Sequence, residues 1–419
     1  MSDDGRTESA RLVTLDALRG FAVMGILAMN IVAFAMPEMA YVSPRAYGGD
    51  TAADLVAWGL AFVLVDGKTR GLFSILFGAS LILIVDRAEK SRQNPASVHY
   101  RRMAWLAIFG LCHFFFLWWG DILFLYAAVG CIAFLFRAWE ARRLIRWAAG
   151  LFTLGVLLMS LLFGGQLLVA SSADDPGAPP ARVEAGEAIR DEYAKIDGEV
   201  QHELALYRGG YLPILGHRLD DAAAPFAMLV FNLLETLPLM MIGMALFRNG
   251  FLTGAWEARA YRRVAWRWLP PGLLLTLLVL WLMREARFDY LFSLTAFLAW
   301  AQPGRLMMTI GYAALLVLLI KHHAASPWIG RVAAAGRAAF SNYLGTSIVM
   351  TTIFYGYGLG LFGRVDRAPL YLFVIAAWAV MLLWSKPWLD RFRYGPLEWL
   401  WRSLARGAMQ PMRKEARPQ

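Results

Sequence analysis

Three polar residues of this chain fall inside long apolar runs, and each has a side chain that can take part in chemistry: Asn30, His113 and Glu235. Strongly polar groups at membrane depth are costly, so each needs a partner or a task. An unperturbed imidazole titrates near neutrality, which suits His113 to be a base, a proton relay or a ligand. Set among Phe114, Phe115, Phe116, Trp118 and Trp119, it can equally be a satisfied packing residue. Glu235 stands just before Pro238, and a carboxylate there must be paired or protonated. The Asn30 amide can donate to a developing oxyanion or join two helices.

Further polar residues sit at the ends of the apolar runs. Asp16 and Arg19 are three residues apart and can pair on one helix face. Arg19 precedes Asn30 by eleven residues, close to three turns, so both share a face about 16 Å apart. Asp121 follows His113 in a tight Gly120-Asp121 turn, where it can cap the next helix. Lys68 and Arg70 stand before Phe73-Ser74-Ile75-Leu76-Phe77-Gly78 and read as interfacial anchors. Asn342 lies in the glycine-rich block from Gly336 to Gly363, which suggests close helix approach or a hinge. There is no H-E-x-x-H, no phosphate-cradling glycine loop and no G-x-S-x-G, and no metal is expected. Cys112 and Cys131, inside apolar runs, read as small hydrophobes. His99, His202 and His217 fall in expected loops.

The elements that must position these residues are membrane spans. Of 419 residues 59% are hydrophobic and 17% charged, so lipid must solvate most of the surface. The net charge of +10 gathers at the ends of apolar runs, where it anchors topology and meets anionic headgroups; no basic stripe suits nucleic acid. The expected fold is an all-α polytopic bundle of about ten transmembrane helices. Residues 1–170 carry about five spans and an interfacial helix over Leu55 to Val65. Residues 171–222 form an extracytoplasmic segment whose stretch from Arg182 to Tyr207 can be helical. Residues 223–385 hold the C-terminal spans, with Phe288 to Ala301 interfacial or re-entrant, and 386–419 form a basic tail with eight Lys or Arg. Lys and Arg alternate between loops so that both termini fall in the cytoplasm of a bacterial inner membrane. Counted from the apolar starts, Asn30, His113 and Glu235 all come near mid-span.

The chain resembles the DUF418 (YeiB-like) family of bacterial membrane proteins. The likeness rests on Leu15-Asp16-Ala17-Leu18-Arg19-Gly20-Phe21, on Leu72 to Gly78, on Gly110-Leu111-Cys112-His113 with Gly120-Asp121-Ile122-Leu123, and on Gly336-Arg337 to Gly363. That family is similar to the transmembrane acyltransferases of the acyltransferase-3 and heparan-glucosaminide N-acetyltransferase types, which likewise open with an Asp, Arg-Gly and an apolar helix. The resemblance implies transfer of an acyl group from cytoplasmic acyl-CoA, as co-substrate, to a carbohydrate or lipid acceptor on the far side. The first type places its key His eleven residues after the Arg, where this chain has Asn30. The second has Asn there and a His about eleven further on, where this chain has Tyr41. No catalytic His carries over by position, and His113 takes that part by inference.

The leading expectation is therefore an acyltransferase-like protein working among membrane lipids. His113 deprotonates the acceptor hydroxyl or carries the acyl group, Asn30 bonds the oxyanion, and Arg19, beside Asp16, attracts CoA phosphate. The alternative is a proton-coupled transporter or lipid-handling protein that uses His113 and Glu235 as relays. A non-catalytic membrane partner is the third reading.

Overall fold

The computed structural model describes residues 3–414, with side chains from residue 13 onward. Among them every multi-residue element is helical, and one antiparallel bridge joins Phe392 to Arg413. The first half comprises α1 (Asp3–Ala35), α2 (Met39–Val42), α3 (Ala52–Leu64), α4 (Lys68–Lys90), α5 (Pro95–Phe116), α6 (Leu123–Ala133) and α7 (Ala141–Ser171). The segment expected outside the membrane is helical: α8 (Pro180–Ala194), α9 (Ile196–Tyr207) and α10 (Tyr211–Asp220). Then follow α11 (Ala224–Arg248), α12 (Ala258–Glu285), α13 (Tyr290–Thr295), α14 (Gln302–His322), α15 (Pro327–Arg337), α16 (Ala339–Phe354), α17 (Arg367–Arg391) and α18 (Pro396–Arg406).

Seven stretches of the described residues are long and apolar enough to cross a bilayer: Val13–Ala35, Ala52–Lys90, Ala141–Asp174, Ala224–Arg248, Ala258–Glu285, Gln302–His322 and Arg367–Arg391. The other three helices expected to cross are weaker spanners. α5 spends its first two turns on polar residues and the pair Arg101-Arg102, and α6 and α16 are short, with 11 and 16 residues. Leu55 to Val65 forms most of α3, which turns at Val65–Gly67 into α4. Phe288 to Ala301 becomes α13 and a π-helical turn that runs into α14. α7, α12 and α17 direct rows of large apolar side chains outward, among them Leu157, Leu161, Leu274, Leu278, Leu372 and Ile375. Such a surface is stable only in lipid.

α1 runs through the interior, and its fit explains two of the motifs. A Cβ on Gly336 would lie 1.8 Å from the Asp16 carbonyl oxygen and 2.5 Å from the Gly20 nitrogen; a Cβ on Gly20 would lie 2.1 Å from the Val332 carbonyl oxygen. The Leu15–Phe21 run and the Gly336-Arg337 block are thus the two faces of one close helix crossing, α1 against α15. Asn342 fastens the same region. Its Nδ2 donates to the Ala335 carbonyl at 3.0 Å and to Ser385 at 3.2 Å, and its Oδ1 accepts from Trp384 Nε1 at 2.8 Å, so it ties α15, α16 and α17 together.

Candidate functional site

α5 begins where Asn94 Oδ1 accepts the Ala96 backbone N–H at 2.9 Å and Pro95 takes the first helical position. It ends at Phe116, so His113 lies in its last turn rather than at its middle. The expected depth was counted from the first apolar residue, whereas the helix stops three residues short of the apolar run's end at Trp119. The N–H groups of Leu117 and Trp118 both converge on the His113 carbonyl, at 3.0 and 2.8 Å, and fold the chain back. This turn returns Asp121 to the His113 ring.

The Asp121 carboxylate does two jobs. Oδ2 accepts the Phe124 N–H at 2.8 Å and caps α6; Oδ1 lies 2.9 Å from His113 Nδ1. On the other side of the ring, Nε2 lies 2.9 Å from Ser347 Oγ, on α16. An ionised carboxylate only accepts, so the ring proton belongs on Nδ1, and Nε2 is left to accept from the serine hydroxyl. Asp121, His113 and Ser347 are 5%, 1% and 1% exposed. Gly110 makes room for this arrangement, since a Cβ there would meet the Phe124 nitrogen at 2.3 Å and Asp121 Oδ2 at 2.9 Å. An imidazole oriented by a carboxylate and aimed at a hydroxyl is the geometry of a general base.

Beneath this group opens a cavity of about 1370 Å³. Its inner wall includes Phe73, Phe77, Tyr126, Phe340 and Tyr343; its remaining wall carries nine Arg or Lys side chains against two carboxylates, Asp16 and Glu398. Arg19 belongs to that wall, bonded to Asp16 at 2.8 Å and to Ser80 at 2.7 Å. So do Arg337, Arg402 and Arg102, whose guanidinium stacks on Trp401 and whose buried Nε has no hydrogen-bond partner. Tyr343 links cavity and triad: it lines the one, and its ring centroid lies 5.2 Å from that of His113. The basic tail takes part as well. α18 stands against the N-terminus of α16, where Glu398 Oε1 accepts the Phe340 and Ser341 N–H groups at 2.7 and 3.1 Å.

A second polar group occupies the region of α4, α11 and α14. Arg70 Nη2 holds both oxygens of Glu235, at 2.7 and 2.8 Å, and Nη1 reaches Asn232 at 3.0 Å. Gln302 adds a bond to Glu235 at 3.1 Å. Nearby Arg305 pairs with Asp66, which also accepts from Tyr41 at 2.6 Å. Arg70 is thus an interior ion-pair partner rather than a surface anchor. Lys68 is fully buried, its Nζ donating to the Phe62 carbonyl at 2.6 Å.

Asn30 is buried on α1, one turn before Phe34, whose ring stacks on Trp118 at 3.9 Å. It is not among the hydrogen-bond partners of His113, and Asn30, His113 and Glu235 are absent from the cavity wall. All three histidines expected in loops are helical, and one is deeply placed: His99 is fully buried on α5, with Nε2 3.0 Å from the Gly130 carbonyl. Ser347, Asp66, Arg305 and Glu398 are the residues that the sequence did not single out.

The family model described as "Protein of unknown function (DUF418)" matches residues 246–408. The uncharacterized protein YeiB of Escherichia coli K12 is 33% identical over 404 residues, covering 96% of this chain and 98% of its own length. The uncharacterized protein YxaH of Bacillus subtilis 168 is 30% identical over 422 residues, covering 97% of each. An uncharacterized 39.9 kDa protein of Bacillus acidopullulyticus is 24% identical over 409 residues, again 97% of each. No solved structure matches the chain. With such identity along nearly its whole length, the chain belongs to the DUF418 family.

Proposed function

We propose that this protein is a transmembrane acyltransferase that moves an acyl group from cytoplasmic acyl-CoA to a carbohydrate or lipid of the envelope. In this reading it lies in the bacterial inner membrane with both termini in the cytoplasm. The observation that carries it is a base already oriented, His113 on Asp121, set behind Tyr343 on the wall of a cavity rich in arginine. Guanidinium groups recognise phosphates, and an apolar inner wall suits the chain that leads to the thioester. Arg19 keeps the phosphate-attracting part given to it, from the wall of that cavity.

The experiment is binding and turnover with the purified protein in nanodiscs. Acetyl-CoA should bind in a salt-sensitive manner, and Arg337→Ala with Arg402→Ala should weaken binding without unfolding the protein. Cysteine labelling tests the orientation: periplasmic modification at Arg143→Cys in intact cells overturns it.

A second reading has its own support. The ion pairs Arg70–Glu235 and Arg305–Asp66, with Tyr41 and Lys68 beside them, form a set of buried and half-buried ionisable groups of the kind that relays protons in carriers. Proton flux into protein-containing liposomes, with no acyl-CoA consumed, would favour it.

A further inference from the structure

We propose that Ser347 is the nucleophile that carries the acyl group, so that transfer runs through an ester on Ser347 in two displacements; the proposal rests on the acyl-transfer reading above. His113 Nε2 already has a partner, the Ser347 hydroxyl at 2.9 Å. Any acceptor hydroxyl must displace that serine to reach the base, so the first group the base activates is Ser347 itself. The alternative acceptor for the serine proton is the Tyr343 carbonyl one turn back, at 3.3 Å, the longer and weaker bond. The imidazole is therefore its main partner.

Position favours a covalent relay. Ser347 is the ninth of the sixteen residues of α16. It thus lies about 12 Å along the axis from the end that meets the cavity and about 10 Å from the opposite end. Tyr343, on the cavity wall, separates the donor space from the triad, and its hydroxyl bonds the Gly120 carbonyl at 3.3 Å. A donor held by arginines at one end and an acceptor arriving from the other need never meet if the acyl group is parked between them. The site is sealed from water, which protects an ester from hydrolysis.

The chemistry balances without a further reactant. Ser347 Oγ attacks the thioester carbonyl carbon while its proton passes to His113 Nε2. The tetrahedral adduct collapses, the C–S bond breaks, and the sulfur takes the proton from the imidazolium and leaves as free thiol. The acceptor hydroxyl then attacks the ester carbonyl and gives its proton to Nε2. The bond from that carbonyl carbon to Oγ breaks, and Ser347 recovers its proton. Asp121 holds the ring with Nε2 free to accept in both halves.

The test uses the full chain in nanodiscs with acetyl-CoA labelled in the acetyl group, first without acceptor and then with an extract of envelope lipids and glycans. Labelled protein should accumulate without acceptor, with the label on Ser347 by peptide mass spectrometry, and addition of the extract should discharge it. Ser347→Ala should reduce both labelling and turnover by about 10²-fold or more. Ser347→Cys, close in size, should label as a hydroxylamine-sensitive thioester and serves where the alanine variant does not fold. A folded Ser347→Ala that turns over at the wild-type rate, or a label found on His113 instead, overturns the relay and leaves acyl transfer standing. Wild-type protein that neither labels nor releases thiol with the extract overturns both.

Discussion

The carboxylate of Asp121 faces His113 Nδ1 at 2.9 Å with one oxygen while the other receives the backbone N–H of Phe124 at 2.8 Å. The cap fixes the carboxylate, and the carboxylate fixes the tautomer of the ring. Asp121→Asn keeps the cap through its amide oxygen and turns its NH₂ toward Nδ1. The ring proton must then move to Nε2, which can no longer accept from Ser347. Acetyl transfer should fall by about 10²–10⁴-fold with the melting temperature nearly unchanged. An active, stable Asn variant would remove His113 from the mechanism.

Arg70 and Glu235 form a two-pronged pair 165 residues apart in sequence. Arg70→Met should destabilise the protein by about 3 kcal/mol, because it strands a carboxylate in a poorly solvated place. Adding Glu235→Leu should recover most of that loss, as two apolar groups need no partner. Thermal unfolding of the single and double variants in detergent measures this. If the double variant loses the sum of the two single effects, the pair is not coupled.

How far the sequence reveals this arrangement follows from what each residue costs in lipid. Long spans are legible because about twenty apolar residues are needed to cross. His113 and Glu235 stand out because ionisable groups at depth are rare. Lys68 and Arg70 are ambiguous: at the end of an apolar run, snorkelling and interior pairing look alike, and the partner of Arg70 is on a different helix. Ser347 leaves almost no mark. A hydroxyl is tolerated in a membrane helix by bonding its own backbone, so only the fold, which brings it 234 residues back to His113, separates it from other serines. α18 was hidden by charge: eight basic residues from Lys386 onward read as a cytoplasmic tail, yet Trp401 and Glu398 give it an inward face.

At the crossing of α1 and α15 the chain has no slack. Gly336→Ala places a methyl 1.8 Å from a backbone oxygen, where no flexible side chain can yield. The expected cost is about 1–3 kcal/mol, with a lower melting temperature and weaker acetyl-CoA binding, since Asp16 and Gly336 also line the cavity. An alanine variant that melts with the wild type would show that the helices stand further apart.

On the segment between α7 and α11, Glu203 Oε2 accepts the Glu38 N–H at 3.0 Å. Burial, and after it the charge of Glu38, push the Glu203 carboxyl from 4.5 up to about 7. The docked state therefore holds its proton more tightly than the undocked one, and docking is firmest below pH 4.5 and loosens as pH rises through about 7. Protection factors of α9, after division by the intrinsic exchange rates, should be lower at pH 8 than at pH 5, and Glu203→Gln should flatten that difference. A glutamine variant with the wild-type profile would assign it to another group.

The wall that α18 gives to the cavity also sets an order of events during synthesis. Membrane helices leave the translocation machinery in sequence, and α1, α4 and α5 are in place long before Pro396–Arg406 has been translated. Until then Arg19, Arg87, Arg101 and Arg102 line an open groove. The nascent protein thus closes this cavity only after the helices of its inner wall, α4, α6 and α16, have been made.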